Sequence, residues 1–66
     1  MALRKQVSDE VRAWLREKIA ADGVNATARS LQVADATLAR AAGGLDVQRG
    51  TVAQLEAAYQ AQKAAA

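Results

Sequence analysis

The chain contains no cysteine, no histidine and no proline, and Trp14 and Tyr59 are its only aromatic residues. Without cysteine there is no disulfide, no thiol nucleophile and no thiolate metal site. Without histidine the commonest general base, the commonest transition-metal ligand and the usual partner of a serine nucleophile are all missing. Ser8 and Ser30 are therefore read as structural residues. No cluster of acid, base or metal ligands can be assembled, so neither an enzyme nor a metal or cofactor is expected, and no small-molecule ligand is evident. The longest apolar runs span only a few residues, too short for a membrane helix or a signal peptide, so a cytoplasmic protein is expected.

What the 66 residues do contain is abundant alanine, the strongest helix former, with little of the alternating β-branched and aromatic pattern that strands favour. An all-α fold follows. The length allows one domain, near the small end of what folds unaided, because a short chain buries a smaller share of its surface. Nine basic residues against seven acidic ones leave a formal charge of +2. That balance permits nucleic-acid binding only if the positive charge is gathered on one side.

Residues 1–7, MALRKQV, carry Arg4 and Lys5 and no strong order signal. They are expected to form a flexible basic arm, either a frayed terminus or a segment that touches phosphates or a minor groove. Ser8 with Asp9 and Glu10 opens a first helix as an N-cap followed by carboxylates suited to the positive helix end. Val11, Trp14, Leu15, Lys18 and Ile19 then recur at three- and four-residue spacing, so one stripe faces a core with the Lys18 stem along its edge. Trp14 fits a core anchor better than a stacking platform. Asp22-Gly23 ends this helix. Asn25 is expected to cap a second helix, from Ala26 to about Gln32, with Val24, Ala28 and Leu31 inward. A third helix runs from about Asp35 to Ala42, where Gly43-Gly44 stops it, with Leu38, Ala41 and Ala42 inward. Leu45 and Val47 are expected to pin the next loop to the core. Thr51 and Gln54 have the spacing of a capping box for a fourth helix whose inward stripe is Val52, Leu55, Ala58 and Tyr59. The folded domain is thus placed at residues 8–62, with a frayed tail at 63–66.

Two short helices separated by so few residues must be held at a sharp, fixed angle. A small residue at their approach, Ala28, and apolar residues on both sides of the bend, Leu31, Val33, Leu38 and Ala41, would lock it. In order, Ala28, Leu31, Gln32, Val33, Leu38 and Ala41 fill the pattern of the bacterial and phage helix-turn-helix DNA-binding proteins. The stretch Val24 to Gly43 resembles their lambda-repressor or Cro group most. Two residues depart from the family pattern. Gln32 stands where the family usually has glycine, so the turn is either strained by on the order of 1 kcal/mol or shifted in geometry. Ala34 followed by Asp35 stands where the family favours serine or threonine.

The resemblance implies a small four-helix, lambda-repressor-like domain that binds double-stranded DNA with the third helix in the major groove. Asp35, Ala36, Thr37, Ala39 and Arg40 would form the base-reading face. Arg40 is its only multidentate donor, matched to the two acceptors of guanine; its other use is to solvate an alanine-rich helix. Asp35 either complements the helix end or accepts a bond from a cytosine amino group. Asn25, Thr27 and Arg29 at the front of the bracing helix, and Gln48, Arg49 and Thr51 at the start of the fourth, would contact phosphates. The family implies a homodimer on two half-sites, a transcriptional regulator acting as a repressor at the nucleoid. The rival class is a helical protein–protein interaction module, gripping a polymerase subunit, a toxin or another regulator. The low net charge and the sparse third helix favour that rival.

Overall fold

The computed structural model describes residues 4–65. Its helices are α1 (Asp9–Asp22), α2 (Val24–Leu31), α3 (Asp35–Ala42) and α4 (Arg49–Ala65); two short strands, β1 (Arg4–Lys5) and β2 (Val47–Gln48), pair antiparallel. The fold is a small all-α four-helix domain, as the alanine content requires. No described helix is long and apolar enough to cross a membrane.

The core forms where the apolar stripes converge. Val11, Trp14 and Leu15 of α1 meet Ala28 of α2, Leu38, Ala41 and Ala42 of α3, and Val52 and Leu55 of α4, with Val7 and Val47 completing it. These are the three- and four-residue spacings that place side chains on one helix face. Trp14 and Tyr59 join α1 to α4, their ring centroids 5.4 Å apart at a 59° tilt, within the range of favourable aromatic pairs. Trp14 is a core residue, and Lys18 Nζ lies 5.9 Å over its ring. Leu45 corrects the expected pin: it is 54% exposed, and Val47 alone anchors that loop.

Helix ends set the geometry. Ser8 caps α1 as read, its Oγ accepting the Val11 N–H at 3.3 Å. Gly23 then serves both as the last cap of α1 and the first of α2, at φ 88° and ψ 158°. No linker separates the two helices. The second helix therefore starts at Val24, and Asn25 lies inside it rather than capping it.

The α2–α3 corner is a Schellman motif. The Val33 N–H donates to the Ala28 carbonyl at 3.0 Å, and the Gln32 N–H to the Arg29 carbonyl at 3.2 Å. The motif needs a left-handed residue at its pivot, and Gln32 supplies it at φ 60° and ψ 42°. Of the two outcomes open from the sequence, the turn keeps the left-handed geometry and carries the strain. The end of α3 repeats the motif with glycine at the pivot. Gly44 has φ 80°, and the Leu45 N–H reaches the Arg40 carbonyl at 2.9 Å. A Cβ on Gly44 would sit 2.8 Å from an Arg12 guanidinium nitrogen, so a side chain there would require the end of Arg12 to swing aside, in addition to the cost of the positive φ.

Gln54 compensates at the strained corner. The expected capping box does not form: α4 begins at Arg49, so Thr51 lies inside the helix. Gln54 Nε2 instead donates to the carbonyls of Leu31 at 2.8 Å and Gln32 at 3.2 Å, tying α4 to the corner. These carbonyls are among those a helix end leaves without a partner. Replacing Gln32 with glycine should relieve the backbone and stabilise the domain by about 1 kcal/mol, raising the melting temperature by roughly 5 °C. Thermal unfolding followed by circular dichroism measures this. An unchanged or lower midpoint would show that the left-handed glutamine carries no cost.

Two expectations about the ends are also corrected. Arg4 and Lys5 are not part of a free arm: Arg4 pairs with Gln48 and Lys5 with Val47, and Val7 is buried. The rest of that expected arm, residues 1–3, lies outside the described residues. At the other end α4 continues to Ala65, with Lys63 Nζ 5.7 Å over the Tyr59 ring, so the tail expected from residue 63 is helical. Ala66 lies outside the described residues.

Candidate functional site

α3 is held by its inner face and open on its outer one. Leu38 is fully buried, while Asp35, Ala36, Ala39 and Arg40 are exposed and Thr37 is half-buried. Ala34 precedes the helix in extended conformation and offers no side-chain cap; Asp35 is the acid of the first turn.

Beside α3 the surface forms two adjoining depressions. One, of about 160 Å³, is lined by Arg4, Thr37, Arg40, Val47, Gln48 and Thr51. The other, of about 510 Å³, is lined by Arg4, Gln48, Arg49 and Gly50. Arg4 and Gln48 belong to both, so α3, the two-stranded ladder and the start of α4 share one face. Three guanidinium groups line the two depressions and no carboxylate does. α1 carries Asp9, Glu10, Glu17 and Asp22 together with its own Arg12, Arg16 and Lys18, and Asp35 and Asp46 lie exposed at the start of α3 and just before β2. A separate hollow between α1 and α4 is lined by Glu10 and Glu56 with Ser8, Val11, Ala57, Tyr59 and Gln60.

The groups on the basic face are mainly hydrogen-bond donors. A guanidinium presents five N–H bonds in a planar fork, and threonine and glutamine add a hydroxyl and an amide. The first turn of α4 contributes backbone N–H groups and contains no acid, which favours an anion beside it. Gly50 is not required by packing, since nothing lies within 4 Å of where its Cβ would be. A glycine inside a helix costs about 1 kcal/mol relative to alanine; here it leaves the backbone bare at the depression. The arrangement is suited to an anionic, acceptor-rich surface.

The fold brings together Thr37, Arg40, Gln48, Arg49 and Thr51 with Arg4 of the expected arm. Asp35, Ala36 and Ala39 are exposed on α3, Asn25 and Arg29 on α2, and Lys5 on β1; none of them lines either depression. Thr27 is corrected outright. It is 1% exposed, and its hydroxyl donates to the Lys18 carbonyl at 3.3 Å, fastening α2 to α1. It is not available to a phosphate. The pairing that carries Arg4 to this face had no signal in the sequence, because two residues per strand are too few for an alternation to show.

Comparison with protein-family models, curated proteins and solved structures gave no match to this chain.

Proposed function

We propose that this protein is a sequence-specific double-stranded DNA-binding regulator that presents α3 to the major groove, with the start of α4 on the flanking backbone. The observation that carries the proposal is the shared face. Arg40 and Thr37 of α3 open onto the same side as Gln48, Arg49, Gly50 and Thr51. A left-handed pivot at Gln32 supports the helix-turn-helix resemblance, because the corner keeps the geometry that glycine usually provides.

Within this proposal Arg40 reads a guanine through its fork, while Ala36 and Ala39 allow close approach and can touch thymine methyl groups. Arg49 and the first turn of α4 meet a phosphate. Eight residues of α3 extend only about 12 Å, enough for a few base pairs. A homodimer on two half-sites one helical turn apart would give a useful operator, and a repressor acting at the nucleoid follows as the simplest regulator of this size.

Titrating labelled duplexes at several salt concentrations tests the assignment. Arg49→Ala should weaken binding to all sequences and reduce the magnitude of the salt slope by about 0.9. Arg40→Ala should relax preference at one position in each half-site, a loss of about 1–3 kcal/mol of discrimination. Failure of the unmodified protein to bind any duplex at low salt would transfer support to a protein-interaction module. The exposed Leu45, beside the end of α3, is the observation that favours that second reading.

A further inference from the structure

We infer that Arg4, Arg40 and Arg49 form one composite site for a phosphate group, complete only while β1 is paired with β2. The inference rests on the proposal that this face meets a nucleic-acid backbone, and it adds a binding residue and a coupled ordering step.

Arg4 lines both depressions, whereas Arg40 lines one and Arg49 the other. It is also the only one of the three that no helix holds. Its position comes from the Arg4–Gln48 register and from Val7, which is 6% exposed and seats the segment in the core. A ladder of two residue pairs is weak by itself, since even a full hairpin is marginal in water. Closing the ladder also brings the Arg4 guanidinium to the depression that Arg40 lines, a like charge that opposes docking. A phosphate reverses the sign of that contribution: its oxygens accept bonds from more than one guanidinium fork, with Gln48 and the Thr37 and Thr51 hydroxyls as neutral donors alongside. A ligand that binds the docked form better must favour docking by the same factor. Phosphate occupancy and pairing of the N-terminal strand are therefore linked.

The test uses the full chain in solution and two probes, inorganic phosphate and the labelled duplex that the chain binds most tightly in the titrations above. Arginine side-chain N–H signals report contact, and hydrogen exchange of the backbone amides of residues 4–5 and 47–48 reports the ladder. Phosphate should shift the signals of Arg4, Arg40 and Arg49 with one common affinity and slow exchange at the ladder. Arg4→Gln should abolish the common transition. It should also weaken duplex binding about fivefold near 0.15 M salt, with the slope reduced by about 0.9. Val7→Ala keeps every charge and should weaken phosphate binding in proportion to the docked fraction lost; if that variant does not fold, Arg4→Gln decides alone.

Phosphate that shifts Arg49 without Arg4, or ladder exchange indifferent to phosphate, overturns the composite site. If phosphate fills the site and no duplex binds, the site stands and the DNA proposal falls. If a duplex binds and Arg4→Gln leaves its affinity unchanged, the DNA proposal stands and the composite site falls.

Discussion

Leu38→Ala is expected to remove about 3–4 kcal/mol of stability and to leave much of the chain unfolded. Leucine-to-alanine changes in cores cost about 2–5 kcal/mol, the larger values where the surroundings cannot collapse into the gap. Leu38 is fully buried and is the only large aliphatic residue of α3; its inward companions are Ala41 and Ala42. A single core in a chain this short rarely supplies more than about 3–5 kcal/mol, so one substitution uses most of the margin. Urea unfolding followed by circular dichroism gives the value. A loss under about 1 kcal/mol would mean that α3 is held by something other than this side chain.

Gly23→Ala should be the next most damaging change, at about 2 kcal/mol, lowering the melting temperature by roughly 10 °C. The backbone at Gly23 has φ 88° and ψ 158°, a region that is essentially glycine's alone. Nothing lies within 4 Å of where the Cβ would be, so the penalty is entirely conformational. D-alanine in a synthetic chain, whose mirror-image preferences suit this φ and ψ, should retain most of the stability. Equal melting of the L- and D-alanine forms would refute the backbone account.

The sequence shows most clearly what is local and periodic. The stripe Val11, Trp14, Leu15 and the trio Leu38, Ala41, Ala42 lie inward as their spacing demands, and Ser8 caps α1. Contacts between segments far apart in the chain leave no such trace. Gln54 has the spacing of a local cap, yet its amide is drawn to the corner 22 residues earlier, where carbonyls without partners bind it better. Thr27 looks like a surface polar residue until α1 is packed against it and the Lys18 carbonyl takes its hydroxyl. The site follows the same division. Periodicity identified the outer face of α3, including Arg40, but helical spacing says nothing about which faces of separate elements adjoin. Only the pairing of Arg4 with Gln48 places an N-terminal arginine beside α3 and α4.

The single-residue junction at Gly23 has an electrical consequence. The last turn of α1 contains no basic residue and the first turn of α2 no acidic one, although each helix end ordinarily attracts such a countercharge. Here the ends abut, and the negative partial charge that closes α1, together with the Asp22 carboxylate, neutralises the positive partial charge that opens α2. The start of α2 near Asn25 is thereby silenced as a seat for anions. The start of α4 follows a strand rather than a helix and has no acid in its first turn, so no neighbouring helix end offsets it in that way.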